Sequence, residues 1–411
     1  MNKYTRLKAA CYTTNVTMAV VGNLPPLLFM IFRDTYNVSF TLLGLLVLVN
    51  FTTQLTVDFL FSLLSRKINI PFALKMTPMV SFVGLMIFAL APVMFPNNVY
   101  AGLALGSVVF AAASGIAEVL ISPTIASLPS DHPDKDMSLL HSIYAWGVVG
   151  VVLFSTAFMY VFGGAAWQYL TAILSLIPLT AFFLFLPCEV PQSLSSDESK
   201  ESVLSLVKRG VVPFVLCIFA GGAAECIMSQ WVSGYLERGV GIPKQYGDVF
   251  GVAMFALFLG LGRTLYSKFG KKIERVLKLG FFAAALCYVT ACVSDNAIVG
   301  VCACALTGFC TSMLWPGSLI LVSDTLTGCG VTVYALMAAG GDLGAAIGPQ
   351  LVGIVTDTVV ASEKCTEIAN KFGLTPEALG MKAGLLLATL FCIFGFVTVL
   401  LIKKRFKRKE A

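Results

Sequence analysis

The chain has 411 residues, of which 57% are hydrophobic and only 12% are charged, and its mean hydropathy is +0.86. Because a soluble domain usually carries about twice that fraction of charged residues, the composition excludes an ordinary soluble protein. The net charge of +6 comes from Lys and Arg clusters in loops and in the tail, so it does not indicate a nucleic-acid partner. The 12 cysteines show no metal-ligand spacing, and we expect no metal site, no cofactor and no structural disulfides.

Apolar runs longer than the ~18-residue threshold for a membrane-spanning helix recur along the whole chain. The first run is too long for the roughly 7–15-residue core of a cleaved signal peptide, so we interpret it as the first span. Breaks at Pro, Gly, Asn and charged clusters predict about twelve spans: 8–32, 39–64, 72–95, 101–127, 138–162, 166–187, 211–236, 246–268, 275–294, 297–322, 330–353 and 382–402. The pattern predicts an all-α polytopic membrane protein.

A polar, Ser-rich linker divides the predicted spans six and six. We therefore predict an N-terminal six-helix bundle at 1–187, a cytoplasmic linker at 188–210 and a C-terminal six-helix bundle at 211–411. The halves also share short matches in register, such as "SPTIASLPSD" at 122–131 and "WPGSLILVSD" at 315–324. This internal repetition predicts two pseudo-symmetric bundles.

The distribution of basic residues predicts the orientation. With the N-terminus inside, twenty-one of the 28 Lys and Arg residues fall in cytoplasmic segments, which places both termini in the cytoplasm. A long outer loop is expected at 354–381. Because the other loops are short, we expect a multi-pass protein of a bacterial plasma membrane, acting as a monomer in the lipid bilayer.

Three acidic residues lie well inside predicted spans, where a charged side chain costs roughly 2.5–3.5 kcal/mol on insertion scales. Glu225 lies near the middle of the seventh span, Glu118 in a polar stripe of the fourth, and Asp342 in the glycine-rich eleventh. Each acid is either protonated and hydrogen-bonded to a neighbouring helix or part of an ion or substrate path. Since buried acids in membranes usually mark such paths, we expect all three to take part in proton coupling.

Other polar and aromatic residues of the spans are candidates for gating and substrate contact. Asp58 and Arg263 lie at comparable depth nearer the cytoplasmic end, and that depth alone suggests a gating pair. Aromatic rings in such a protein either stack on sugars or pack helices together. The candidate substrate contacts are Asn23, Gln54, Tyr144, Gln230, Trp231 and Trp315.

Several stretches resemble motifs of one transporter family. "AEVLISPTI" at 117–125 resembles the "ETxxNPxI" pattern of the fourth span in the fucose–galactose–glucose:proton symporter branch of the major facilitator superfamily. "GGAAECIMSQW" at 221–231 is similar to that branch's "GAEVxxGSW" of the seventh span. "LLHSIYAWG" at 139–147 and "MLWPGSL" at 313–319 resemble its "LLHxFFGxG" and "MxYPxIF".

The resemblance implies two six-helix bundles with a central site for a monosaccharide, and a role for Glu118 in proton coupling. The chain departs from the pattern at two positions: Asn23 stands where fucose permease-like members have an Asp, and Ser122 replaces the Asn beside the fourth-span proline. "GAAIGPQLVG" at 344–353 also resembles an antiporter motif that normally belongs to the fifth span, which is weak evidence for export.

These observations predict a secondary active transporter, not an enzyme, that moves a small polar solute by proton-coupled alternating access. The solute is expected to be a sugar or sugar-like compound, with sodium as the alternative coupling ion. The alternatives are a proton-driven exporter of amphipathic compounds or drugs, a membrane enzyme acting on lipid-linked substrates, and a receptor that binds without translocating. No His, Asp or Glu cluster with catalytic spacing supports the enzyme.

Overall fold

The computed structural model describes residues 3–64, 69–126, 128–129, 133–190, 203–270, 272–294, 296–326 and 331–407. Within these ranges the regular elements are all helices, and none is a strand. The all-α fold expected from the hydropathy pattern is therefore confirmed.

The chain divides into two compact units. The N-terminal unit comprises Met1–Val38 and Val49–Asp197, and the C-terminal unit comprises Ser39–Leu48 and Glu198–Ala411. The first eight helices of the described chain are α1 (Lys3–Tyr36), α2 (Phe40–Leu64), α3 (Ile70–Ala89), α4 (Ala91–Met94), α5 (Val99–Ala126), α6 (Pro133–Phe162), α7 (Trp167–Leu174) and α8 (Leu176–Phe185). Helix α2 thus contributes its first turns to the C-terminal unit. The bundle boundaries derived from the sequence remain predictions.

The rest of the described chain is also helical. Its helices are α9 (Val203–Arg209), α10 (Val212–Gly234), α11 (Lys244–Gly247), α12 (Met254–Phe269), α13 (Ile273–Val293), α14 (Ala297–Thr311), α15 (Leu314–Thr325), α16 (Val331–Val360), α17 (Glu363–Lys371) and α18 (Pro376–Lys407). Two π-helical segments, Tyr235–Gly239 and Asp248–Ala253, extend α10 and precede α12. Such wider turns are rare and are found frequently at functional sites.

Eleven helical segments of the described chain are long and apolar enough to cross a membrane. The predicted fifth span lies in α6, whose apolar part is the shorter stretch Trp146–Phe162. Two predicted spans are interrupted helices: the sixth is formed by α7 and α8, and the tenth by α14 and α15. The chain is therefore a polytopic helical membrane protein.

The predicted loop at 354–381 is largely helical, so its expected length is wrong, and its position on the outer side remains a prediction. Helix α16 continues to Val360, α17 follows, and α18 begins at Pro376. The side chain of Ser362 accepts a hydrogen bond from the backbone N–H of Cys365 and caps α17. Hydropathy did not indicate α17 because its sequence, EKCTEIANK, is mostly polar.

Tight helix contacts at small residues hold the N-terminal unit together. A Cβ atom on Gly147 of α6 would lie 3.1 Å from the Cβ of Ala19 on α1. Close by, the side-chain amide of Asn15 donates to the carbonyl oxygen of Leu140 at 2.6 Å. In a bilayer, where lipid is as apolar as the side chains, close packing at small residues and interhelical hydrogen bonds are the main sources of association.

The C-terminal unit uses the same device between α10 and α16. Gly222 of α10 lies against the carbonyl oxygen of Gly341, and Gly344 of α16 lies against that of Phe219. A side chain at either glycine would overlap the backbone of the facing helix. These two contacts set the distance between the helices that carry Glu225 and Asp342.

The first turn of α2 is capped from α16, within the C-terminal unit. The carboxylate of Asp357 accepts hydrogen bonds from the backbone N–H groups of Phe40, at 3.1 Å, and Thr41, at 2.6 Å. The first N–H groups of a helix have no partner inside the helix, and the helix dipole favours an anion there. Asp357 therefore fixes the start of α2 against α16.

We expect Gly344→Ala to destabilise the protein by about 1–3 kcal/mol, the usual cost of overpacking, because the added methyl group would meet the Phe219 carbonyl. The measurement is thermal unfolding of the purified protein in detergent, followed by tryptophan fluorescence. Gly260→Ala is the matched control, since no described atom lies within 4 Å of its Cβ position. Equal melting temperatures for the two variants would contradict the packing argument.

Candidate functional site

Glu225 forms an ion pair with Arg263 inside the C-terminal unit. One guanidinium nitrogen, Nη2, lies 3.3 Å from Oε1 and 3.5 Å from Oε2 of the carboxylate. The Glu225 side chain is 17% exposed and that of Arg263 is 44% exposed. The pair joins α10 to α12, and the arginine partly neutralises the acid within the membrane.

A proline in α15 explains how Arg263 is oriented. Pro316 has no N–H, so the carbonyl oxygen four residues earlier, on Ser312, has no helical donor. That oxygen instead accepts a hydrogen bond from Nε of Arg263 at 3.1 Å. The interruption between α14 and α15 thus provides an acceptor for the guanidinium, and Arg263 connects three elements of the unit.

The Trp315 ring packs against Gly222 of α10 and Gly341 of α16, close to the Glu225–Arg263 pair. Its ring carbons come within 3.0 Å of the Cβ position of Gly222 and still closer to that of Gly341. The residue is half-buried, so part of the indole ring stays accessible. Asp342, next to Gly341 in α16, is 7% exposed.

Glu118 is exposed on α5 in the N-terminal unit. Gly115, one turn earlier, permits a close approach to α2: its Cβ position lies 3.1 Å from the carbonyl oxygen of Gln54. Among the side chains that the structure describes, none forms a hydrogen bond or ion pair with the Glu118 carboxylate. Ser114 on the same stripe is buried. Glu118 and Glu225 are therefore in different electrostatic settings.

Asn23 and Tyr144 are brought near each other by the packing of α1 on α6. The Tyr144 hydroxyl lies 3.7 Å from the Cβ position of Gly22, the neighbour of Asn23. The Asn23 side-chain amide donates to the Ala19 carbonyl of its own helix at 2.9 Å. Asn23 is 8% exposed and Tyr144 is 37% exposed, so the tyrosine is the more accessible of the two.

Trp231 is placed differently from the other candidate substrate contacts. Its ring is completely buried, and its indole N–H donates to the carbonyl oxygen of Pro349 on α16 at 2.9 Å. Gln230 beside it is 8% exposed. In this conformation Trp231 joins two helices.

The suggested Asp58–Arg263 gating pair remains a prediction, because the Asp58 side chain lies outside the described part of the structure. Arg263 is engaged by Glu225 in this conformation. Comparing the depths of residues along the spans did not identify Glu225 as the partner of Arg263. A useful sequence signal would have been Pro316, because a proline leaves the carbonyl oxygen four residues earlier, on Ser312, free to accept a hydrogen bond from Arg263.

A second polar cluster, missed from the sequence, lies between α10 and α12. Asp248 is fully buried and accepts a short hydrogen bond from the Ser233 hydroxyl, and its other carboxylate oxygen lies 3.3 Å from Nζ of Lys244. Ser233 lies near the end of α10, Lys244 begins α11 between the two π-helical segments, and Asp248 begins the second of these segments. They connect these segments and hold the ends of α10 and α12 together.

Acids and a cation within membrane-spanning helices are typical of membrane transporters. The pattern of the Major Facilitator Superfamily matches residues 10–349, which is most of the chain. The chain therefore belongs to this superfamily, and it is a transporter and not an enzyme. No curated protein sequence matches the chain.

Solved structures of transporters share the fold at low sequence identity. A bacterial homologue of the human lysosomal transporter Spinster, inward-facing and occupied, has a TM-score of 0.81 at 14% identity, covering 99% of this chain and 98% of the other. A nucleoside transporter has a TM-score of 0.70 at 12% identity, covering 99% and 100%. The fucose:proton symporter of E. coli has a TM-score of 0.60 at 17% identity, covering 96% and 98%. The resemblance to the fucose permease branch is thus supported at the level of fold.

We expect Trp231→Phe to lower stability by about 0.5–1.5 kcal/mol, because the Pro349 carbonyl loses its donor. Thermal unfolding of the purified protein measures the change. Trp146, whose side chain is 68% exposed, provides the control, and Trp146→Phe should leave the melting temperature unchanged. An unchanged melting temperature for Trp231→Phe together with weaker solute binding would instead favour a substrate contact.

Proposed function

We propose that this chain moves a small polar solute, a sugar or sugar-like compound, across a membrane by proton-coupled alternating access. The observation that carries the proposal is the exposed acid Glu118 in the membrane-spanning part of α5, which has no cationic partner among the side chains that the structure describes. A carboxylate inside a membrane span is costly unless it serves an ion or substrate path. The fold similarity to a fucose:proton symporter supports the same function.

Glu118 is better suited than Glu225 to bind and release a proton. Arg263 lies within 3.5 Å of the Glu225 carboxylate and stabilises its ionised form, whereas Glu118 has no such neighbour in the described chain. Protonation of Glu118 would neutralise its carboxylate. A neutral side chain costs less than a charged one when α5 moves and its surroundings become apolar. We therefore propose Glu118 as the main proton-binding group, with Glu225 and Asp342 as further candidates.

Solute contacts are proposed on both units. In the N-terminal unit, Gln54 lies on α2 where Gly115 of α5 approaches it, and Tyr144 is exposed on α6. In the C-terminal unit, the half-buried Trp315 offers an aromatic face. Aromatic rings bind the apolar faces of sugars while polar side chains bind their hydroxyl groups. Asn23, Gln230 and Trp231 are less accessible in this conformation.

The direction of transport is proposed to be import. The export alternative draws on the abundant Phe and Met and on the motif at 344–353. The glycines of that motif pack against neighbouring helices: Gly344 against Phe219, Gly348 against Ala223 and Gly353 against Phe40. Helix packing thus accounts for the motif without a role in antiport. We further propose a plasma-membrane location with both termini in the cytoplasm, as the short loops and the distribution of basic residues favour. We also propose that the protein acts as a monomer.

We expect Glu118→Gln to abolish accumulation of solute above its equilibrium level under an inward proton gradient, because the amide cannot exchange a proton. Exchange of labelled for unlabelled solute at equal pH should persist. The measurement uses proteoliposomes and the sugar with the largest thermal shift among L-fucose, D-galactose, D-glucose and D-xylose.

Glu367→Gln is the matched control, since Glu367 is an exposed acid on α17. It should accumulate solute like the unmodified protein. Undiminished accumulation by Glu118→Gln would refute the assigned role, and accumulation that requires a sodium gradient would replace the proton as coupling ion.

A further inference from the structure

We infer that the transported solute carries an acidic group, and that Arg263 binds it in place of Glu225. This inference rests on the proposed transport function and names the substrate class of the same protein. It follows from the geometry of the Glu225–Arg263 pair, the exposure of the guanidinium and its position in the membrane.

The ion pair leaves much of the binding capacity of Arg263 unused. Both carboxylate contacts go to Nη2, at 3.3 and 3.5 Å, whereas charge-assisted hydrogen bonds are usually about 2.7–2.9 Å long. Nε is bonded to the Ser312 carbonyl. Within the described part of the chain, Nη1 has no partner. A second carboxylate could therefore bind Nη1 and Nη2 together, in the two-pronged geometry that guanidinium favours.

The guanidinium is held near the middle of the span. Arg263 itself lies toward the end of α12, but its head group contacts Ser312, between α14 and α15, and Glu225, near the middle of α10. Side chains of a helix lean toward its N-terminus, which is consistent with this direction. Because 44% of the side chain is exposed and a cation facing hydrocarbon would be costly, the open side faces a polar path.

If the carboxylate of a solute replaces that of Glu225, Arg263 keeps an anionic partner. A neutral sugar that displaced Glu225 would leave Arg263 without a counter-ion inside the membrane. An acidic solute keeps the arginine paired throughout. Glu225 then acts as an internal competitor that occupies the cation while no solute is bound. The half-buried ring of Trp315, on the Gly222 surface one turn from Glu225, provides an apolar face for the rest of the solute.

The test compares acidic sugars with neutral partners of matched shape. The purified full-length protein is screened by thermal shift with D-glucuronate and D-glucose, D-galacturonate and D-galactose, and N-acetylneuraminate and N-acetylmannosamine. Dissociation constants are then measured by calorimetry. We expect at least one acid to bind about tenfold or more tightly than its neutral partner, as a hydrogen bond to a charged group implies.

Two substitutions should have opposite effects. Arg263→Gln removes the cation and should abolish the preference for the acid. Glu225→Gln removes the competitor and should tighten binding of the acid several-fold, a gain that misfolding cannot produce. Lys278→Gln is the matched control, because it also removes a cation from an ion pair: Lys278 pairs with Glu274 at 2.9 Å on α13. This substitution should leave binding unchanged.

The inference is wrong if no acid in the panel binds better than its partner, if the preference survives Arg263→Gln, or if Glu225→Gln weakens acid binding. Proton-driven accumulation of a neutral sugar with no preference for acids would exclude the inference and retain the proposed function. Tight binding of an acid with no proton dependence of its transport would support the assignment of Arg263 and remove the proton coupling.

Discussion

Close backbone contact between α10 and α16 is the constraint on which the C-terminal unit depends. The hydrophobic effect does not drive helices together within a bilayer, so the unit relies on surfaces where backbones can touch. Gly222 and Gly344 supply those surfaces, because each lies against a carbonyl oxygen of the facing helix. The same contact positions Trp315 across Gly222 and Gly341 and places Glu225 one turn beyond Gly222. Packing and the polar cluster thus arise from one arrangement of small residues.

A single proline connects this packing to the electrostatics. Pro316 leaves the Ser312 carbonyl without a helical donor, and Arg263 supplies one. This hydrogen bond restricts the orientation of the Arg263 side chain. In that orientation the guanidinium lies beside the carboxylate of Glu225. Pro123 matches Pro316 in the internal repeat and lies five residues after Glu118. The matching prolines therefore differ in their surroundings: Pro123 follows Glu118 within the continuous helix α5, whereas Pro316 lies on α15, apart from the helix of Glu225.

The features that the sequence predicted well are those that follow from local chemistry. Long apolar runs predicted the spans because any chain segment in hydrocarbon must satisfy its backbone internally, and a helix does so. Acids such as Glu118 were evident since their cost in a membrane demands a reason. The partner of Arg263 was not predictable, because it depends on which helix faces are turned together. The burial of Trp231 was missed for the same reason, and α17 because hydropathy does not detect a polar helix.

The two principal acids have contrasting environments, and that contrast suggests a division of labour. An acid paired with arginine can be exchanged for another anion, whereas an acid without a cationic neighbour can change its protonation without leaving an opposite charge unpaired. Glu225 meets the first description and, among the side chains that the structure describes, Glu118 meets the second. Coupling then requires no direct contact between solute and proton. It requires only that the conformations of the transporter differ in their affinity for each ligand, because linkage makes the effect of one on the other reciprocal.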